Sequence, residues 1–389
     1  MNICVILTPR IGAINKELAG TEGMFINDLN LMIKRIRFEA YARFSYKHPN
    51  VNKSYYPLFI KKIARQVKFL KRYYNSINNF CDFVAEIIYV FIIYLKSLDS
   101  DVIFGYSCAI VSLLPFRNRI IFLHSYEKFY FTGILYRQYS KSYYIFCSKY
   151  LRDYFMNKYK FINFSNSTYI HNAIDTKIFY PLKASKNRGT KIRLLYVSAW
   201  VKEKGLDILL KSILRLPKTT RKKIVLNIAS SKNLWYKEKF ERNDKYIRKV
   251  NALISKFPNV LQMGGVKHSD MNQVYNNNDY LIFPSTWGEP CSLSLIEAVF
   301  SRIPVIAFNV GGNQEILSKN NSILLNTPTV NSLSQTLFKI ANGKYHFKRI
   351  SPTRKNYFMT SEKRAPKFLK LIDRVKIQIS GISYLTGKS

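Results

Sequence analysis

The stretch from Tyr280 to Ala298 has the residue types and spacing of a ligand site. It reads Tyr-Leu-Ile-Phe-Pro-Ser-Thr-Trp-Gly-Glu-Pro-Cys-Ser-Leu-Ser-Leu-Ile-Glu-Ala, with seven residues between the carboxylates Glu289 and Glu297. The apolar run stops at Pro284 and a helical pattern starts near Ser292. A loop therefore carries Glu289, and the second turn of a helix carries Glu297. A helix start here leaves the amides of Cys291, Ser292 and Leu293 without intrahelical partners, and such an end attracts phosphate through its donors and its dipole. Carboxylates beside it suit hydroxyl-rich groups, because one carboxylate accepts two hydrogen bonds from a vicinal diol. The chemistry implied is the binding of a phosphorylated, polyhydroxylated ligand. Taken singly, Glu289 also reads as a complement to the helix dipole and Glu297 as an exposed helix residue.

The elements that position these residues alternate in type. Lys191–Ser198 is a β-branched and aromatic run, and Gly205–Leu216 has apolar residues at helical spacing. Strands at Lys223–Ala229, Val260–Met263, Tyr280–Pro284 and Pro304–Phe308 alternate with helices at Asp244–Phe257, Ser269–Asn276 and Leu293–Phe300, and Asn313–Leu317 continues the pattern. This βα order predicts a parallel sheet covered on both faces. The first half repeats it less cleanly: a strand at Asn2–Thr8, a helix at Glu22–Arg35, and short strands at Asp101–Tyr106, Arg119–His124, Tyr144–Ser148 and Ser167–His171. Apolar periodicity fails between Thr176 and Lys191, around Pro181 and Gly189. The expected organisation is a domain over 1–178, a linker over 179–190, a second domain over 191–360, and a C-terminal helix over 361–389 that packs back on the first domain. Open parallel sheets bind ligands at the carboxyl ends of their strands, so two such domains are expected to face each other across a cleft.

Bulk properties narrow the function classes. A chain of 389 residues with 47% hydrophobic content exceeds one comfortable core and can fill two. Its formal charge of +39 attracts polyanions, among them nucleic acid, an anionic membrane surface and phosphorylated substrates. Residues 1–190 hold 28 basic and 11 acidic side chains and residues 191–389 hold 34 and 12, so the charge is not confined to a tail. Lys34–Arg72 has twelve basic residues against Glu39 alone, interleaved with aromatic and aliphatic residues. The five cysteines have neither zinc nor disulfide spacing and suit a reducing compartment. The apolar run within Phe80–Leu98 is interrupted by Asp82 and Glu86 and closed by Lys96, short of the roughly 20 apolar residues a membrane span needs. It is read as a buried helix.

Several motifs in order resemble the retaining glycosyltransferases of family 4, also called group 1. The family's paired glutamates fall on Glu289 and Glu297, and its strand ending in Pro-Ser on Phe283-Pro284-Ser285. Ala298 with Pro304-Val305-Ile306, and Gly311, Gly312 and Glu315, match the two patterns that follow. Upstream, Gly264–Tyr275 resembles the loop and helix that hold the nucleotide base, which places Gly264 and Val266 at the donor. The resemblance, dense over residues 192–317, implies a GT-B fold of two Rossmann-like α/β domains. It implies transfer from a nucleoside-diphosphate sugar, foremost a UDP-sugar, with no obligatory cofactor or metal. It is nearest to bacterial enzymes that add hexose or N-acetylhexosamine to lipopolysaccharide or other surface glycans.

The resemblance also implies roles. Glu289 meets the donor sugar, Glu297 holds the ribose, and Lys204 neutralises the diphosphate together with the amides of Cys291, Ser292 and Leu293. The family's Gly-Arg-x-x-x-x-Lys-Gly loop reads Ser198-Ala-Trp-Val-Lys-Glu-Lys-Gly205 here. Ser198 lines the donor, but Ala199 replaces the arginine, and such a cation in a dry site contributes several kcal/mol. Lys202 and Lys267 are the candidate substitutes. Gly20 in Gly20-Thr-Glu-Gly23 stands for the family's Gly-rich loop, with the start of a helix as the plain alternative. His124, at the end of its strand, faces the donor sugar by the same resemblance. Asn172 and Asp175 read as turn-formers.

Asp99-Ser100-Asp101 has the form of another glycosyltransferase fold's metal motif but precedes a strand, so it is read as a loop. The acceptor expected is a glycan or glycolipid, with the enzyme cytoplasmic and peripheral to an anionic membrane through Lys34–Arg72. An epimerase of the same fold and a nucleic-acid-binding protein are the rival readings. The latter has charge but no recognition motif, so no nucleic acid is expected.

Overall fold

The computed structural model of the chain describes residues 1–7, 20–32, 36–42, 51–54, 56–57, 74–115, 118–182, 190–230, 240–320, 322–345, 352–353, 356 and 359–385. The chain divides into two compact units, Met1–His171 with Ser361–Ser389, and Asn172–Thr360. Each is built on one parallel sheet, and the pair has the two-domain α/β plan of the GT-B fold.

The first unit's sheet has the order β3-β2-β1-β4-β5-β6-β7, from β1 (Asn2–Leu7), β2 (Arg37–Ala42), β3 (Val51–Lys53), β4 (Val102–Tyr106), β5 (Arg119–Leu123), β6 (Tyr143–Phe146) and β7 (Ser167–Tyr169). Residues 3–7, 102–106 and 119–123 are buried throughout, as expected of strands with helices on both faces. Strands β2 and β3 lie inside the basic stretch Lys34–Arg72, where sequence periodicity assigned no element. In β2, Arg37 and Glu39 are exposed while Phe38 and Ala40 are buried, so these charges share one face of the strand and its apolar residues the other. Most of that stretch, and residues 8–19, lie outside the described residues.

Two expectations change here. Gly20 is not part of a loop: the helix Gly20–Leu31 begins at it. The apolar run at Phe80–Leu98 is a helix over Tyr74–Lys96, but only one face is buried. Ala85, Tyr89, Val90 and Ile93 face inward, with the Tyr89 hydroxyl 3.1 Å from each of the carbonyls of Leu7 and Tyr41, whereas Phe80, Ile87, Phe91 and Leu95 are exposed. The sequence hides this asymmetry because both faces are apolar. Among the described residues, no helix is long and apolar enough to cross a membrane.

The second unit's sheet has the order β10-β9-β8-β11-β12-β13, from β8 (Ile192–Tyr196), β9 (Ile224–Ala229), β10 (Val260–Gly264), β11 (Tyr280–Phe283), β12 (Val305–Phe308) and β13 (Ser322–Leu325). Leu194, Leu226, Ile228, Ile282 and Ile306 form its core with Leu206, Leu209, Leu210 and Ile213 of the helix Leu206–Leu214. The direction of winding reverses between β8 and β11, which are hydrogen-bonded neighbours. Loops leaving the carboxyl ends of two such strands diverge and leave a crevice where α/β sheets bind ligands.

Candidate functional site

The crevice of the second unit is built from those two loops. After β8 the chain runs through Ser198 to a short 3₁₀ turn, Lys202–Lys204, closed by Gly205. Gly205 has φ +70°, and a Cβ there would run into the Pro284 carbonyl, so only glycine lets the loop after β8 lie against the end of β11. The contact is also hydrogen-bonded. The Thr286 amide donates to the Glu203 carbonyl at 2.9 Å, and Ser285 Oγ lies 3.1 Å from the same oxygen. The buried Tyr196 hydroxyl donates to the carbonyl of Ala199 at 3.1 Å and lies 3.4 Å from that of Lys204, holding both ends of the turn. Burial pushes this phenol well above its ordinary pKa, so it remains a donor. Ala199 thus contributes its carbonyl where the family carries an arginine. Lys202 and Lys267 are exposed.

This scaffold brings Lys204 and Glu289 together. Lys204 Nζ lies 2.5 Å from Glu289 Oε1, and Ser285 Oγ is 2.6 Å from the same oxygen. The ammonium also lies 5.0 Å from the Trp287 ring centroid, within cation–π range. The glutamate is 5% exposed and the lysine 21%, so the pair is sheltered but reachable. A third loop fixes Glu289 from behind: the Gly312 amide donates to the Glu289 carbonyl at 2.7 Å. Gly311 has φ +59°, and a Cβ on it would overlap the Glu289 backbone.

The helix that follows, Leu293–Phe300, begins after Ser292, whose side chain makes no capping hydrogen bond and pairs instead with Ser294 Oγ at 2.9 Å. No acidic residue occupies its first turn, so the positive end of the dipole is not offset locally. Cys291 is buried, and its carbonyl accepts from Asn172 Nδ2 at 2.8 Å. Asn172 therefore anchors the loop before the helix, beyond its expected part in a turn, while Asp175 accepts from the Lys177 amide in a local turn.

Glu297 lies on the second turn of this helix and is buried, not exposed. Its Oε1 meets His268 Nε2 at 3.1 Å and its Oε2 accepts from the Tyr275 hydroxyl at 2.8 Å. His268 belongs to the segment after β10, where Gly264 has φ +71° and follows a bulge, and Val266 is half-buried. The hydrogen bond and charge of Glu297 raise the His268 pKa against a smaller opposing effect of burial. Both residues lie within Gly264–Tyr275, where no local signal marks either as a partner of Glu297. Tyr275 and Asn172 become recognisable only through partners distant in the chain.

His124 belongs to the first unit. Its Nε2 lies 3.2 Å from the Tyr106 hydroxyl, its ring packs on Phe122 with centroids 3.9 Å apart, and its Nδ1 is buried without a hydrogen-bond partner. Burial first, and the Arg364 charge second, lower its pKa well below the ordinary imidazole value. Such a ring is neutral and suits hydrogen bonding better than acid catalysis. Asp101, in the segment read as a loop, accepts from the Asn2 amide through Oδ2 at 2.8 Å.

The glycosyl transferases group 1 family matches residues 182–356, a span that contains Lys204, Gly264, His268, Glu289 and Glu297. This segment is similar to a glycosyl transferases group 1 domain. Two curated proteins are also similar to part of the chain. Spore coat protein SA of Bacillus subtilis is 23% identical over 172 residues, 41% of this chain and 44% of that protein. An uncharacterized 41.2 kDa protein in the cps region of Klebsiella pneumoniae is 28% identical over 148 residues, 38% of this chain and 36% of that one. The match thus spans less than half the length of these relatives.

Solved structures resemble the whole chain in fold. Anabaena HepE, in complex with UDP and glucose, has a TM-score of 0.64 at 14% identity over 98% of this chain and 99% of that one. The lipopolysaccharide outer core galactosyltransferase WaaB has a TM-score of 0.58 at 15% identity over 99% of both chains. WaaG, a glycosyltransferase involved in lipopolysaccharide biosynthesis, has 0.59 at 14% over 97% of this chain and all of that one.

Proposed function

We propose that the chain transfers a sugar, with retention, from a nucleoside-diphosphate sugar to a glycan or lipid-linked glycan in surface polysaccharide synthesis. The observation that carries the reading is the sheltered Lys204–Glu289 pair at the crevice beside the start of the helix Leu293–Phe300. A diphosphate takes the helix end and the lysine, and the glutamate then orients sugar hydroxyls. Ser198, Gly264, Val266 and the Cys291–Leu293 amides line the donor in this reading. The acceptor hydroxyl bonds to the anomeric carbon as its bond to the diphosphate breaks, and the leaving diphosphate takes the acceptor's proton.

UDP bound to HepE, and the lipopolysaccharide setting of WaaB and WaaG, favour a UDP-sugar donor and a surface glycan acceptor. A working place at the cytoplasmic face of an anionic membrane fits the charge of +39 and the exposed Phe80, Ile87, Phe91 and Leu95.

A thermal-shift screen of UDP-, GDP- and ADP-sugars on the wild type and Glu297→Ala tests the donor site, followed by product analysis with the stabilising donor. Stabilisation of the wild type, lost in the variant, is expected. No shift with any nucleotide sugar defeats the donor site, and a labelled donor epimerised in the absence of acceptor replaces transfer with epimerisation.

A further inference from the structure

Glu297 is held from two sides by donors on one short segment. Tyr275 OH takes Oε2 and His268 Nε2 takes Oε1. A carboxylate offers about four lone-pair sites over its two oxygens, so among the described residues these bonds leave one on each oxygen. Two adjacent acceptors with a fixed plane are what a vicinal diol requires. The two donors differ in setting: Tyr275 is buried, whereas the His268 side chain is 62% exposed. The Phe179 ring steadies both, with centroids 5.1 Å from His268 and 6.2 Å from Tyr275, each near an edge-on angle. A carboxylate held by Tyr275 alone could rotate about its last bond and lose the pairing of its free sites.

We propose that His268 is a positioning residue: it fixes the plane of the Glu297 carboxylate, to which the family resemblance gives the ribose, and so sets how far the site discriminates ribonucleotides from 2′-deoxyribonucleotides. The inference rests on the nucleotide-sugar reading above. The neutral imidazole protonated on Nε2 and the imidazolium both donate from Nε2, so the arrangement survives titration of the ring. The acidic groups acting on the ring are Glu297 and Asp175.

Calorimetric titration with UDP and with 2′-deoxy-UDP, on the wild type, His268→Ala and His268→Gln, tests it; GDP and ADP with their deoxy forms replace the pair if UDP does not bind. The wild type should prefer UDP by about 10- to 100-fold, as for hydrogen bonds to a charged acceptor. His268→Ala should weaken UDP with little change for the deoxy ligand, so the ratio collapses. His268→Gln, which keeps an N–H donor, should retain most of it. The alanine variant's melting temperature separates misfolding from lost positioning, and the glutamine variant supplies a second reading if alanine is unstable. An unchanged ratio in a folded His268→Ala, or equal loss in both variants, overturns the role of His268. Failure of the wild type to bind any of the three ribonucleotides overturns the donor reading and this inference with it.

Discussion

Lys204 Nζ and Glu289 Oε1 lie 2.5 Å apart although 84 residues separate them in the chain, and neither could hold its place without the backbone of the other's loop. The Thr286-to-Glu203 hydrogen bond and the Gly205–Pro284 contact form one rigid unit from two loops. The lysine proposed to neutralise a phosphate and the carboxylate proposed to orient a sugar are thereby set together by the fold.

Removing one partner exposes this dependence. Lys204→Met leaves Glu289 sheltered with only Ser285 beside its Oε1, and should cost about 1–3 kcal/mol of stability, less than a fully buried pair because the lysine is 21% exposed. Turnover should fall by about 10²–10³ through loss of charge at the diphosphate. Urea melts and steady-state donor turnover measure the two effects. Wild-type turnover in Lys204→Met would remove the lysine from the mechanism.

Gly311 shapes the Glu289 loop through the close approach of its backbone. Gly311→Ala forces a left-handed residue, at about 1–2 kcal/mol, and adds overlap with the Glu289 backbone. The expected result is a larger proportional loss in kcat than in thermal stability, read by paired kinetics and melting curves. A stable, fully active Gly311→Ala would mean that the loop yields at no cost to the site.

Much of this arrangement was legible in the sequence. The alternation of strands with helices gave the second unit's β8 to β12, and the loops after β8 and β11 were already the ones bearing Lys204 and Glu289. What remained hidden depends on tertiary partners. Glu297 is legible as a site residue through its motif, but nothing local announces that Tyr275 and His268 will enclose it. Strand β2 was missed because Arg37 and Glu39 dominate its composition, although its inward positions alternate correctly. The outer face of the helix Tyr74–Lys96 was misjudged because apolar content alone cannot say which face a sheet will cover.

That outer face supplies a surface prediction. Phe91→Ser with Leu95→Ser should reduce sedimentation with vesicles containing phosphatidylglycerol severalfold, leave weak binding to neutral phosphatidylcholine vesicles little changed, and preserve the melting temperature because both side chains are exposed. Equal binding by variant and wild type would remove this helix from membrane contact.

The His268–Glu297 pair makes stability depend on pH in a defined direction. His268 has a raised pKa in the folded chain, chiefly through its hydrogen bond with Glu297, so the folded state binds the proton more tightly. Its contribution is fully present below the unfolded value of about 6.5 and is lost as pH rises through the raised folded value. The melting-temperature advantage of wild type over His268→Gln should therefore be larger at pH 5.5 than at pH 8.5. The difference should be small and should shrink with salt, since the ring is largely exposed. An advantage that grows with pH would contradict the pairing.

The first unit contains a second titrating pair of a different kind. Arg364, on the helix Ser361–Leu385, donates through Nε to Asp28 Oδ2 at 2.6 Å, and through Nη1 to the His171 carbonyl at 3.1 Å; both Arg364 and Asp28 are fully buried. Burial pushes the Asp28 carboxyl up to about 6 in spite of the guanidinium beside it. Desolvation therefore outweighs attraction, and the folded state holds the proton more tightly than the unfolded chain, where the pKa is about 3.9. The contribution of Asp28 is complete below about pH 4 and declines as pH rises through 6. Arg364→Met should cost about 3–5 kcal/mol at pH 7.5, because it leaves a buried carboxylate without its cation. Adding Asp28→Asn to that variant removes the uncompensated charge and should recover a large part of the loss. The cycle is read by urea unfolding at pH 7.5 and pH 4.5, and the penalty of Arg364→Met should be smaller at the lower pH, where Asp28 is neutral more of the time. A double variant no more stable than Arg364→Met at pH 7.5 would show that Arg364 acts through its packing on Phe122 and Phe368 and not through Asp28.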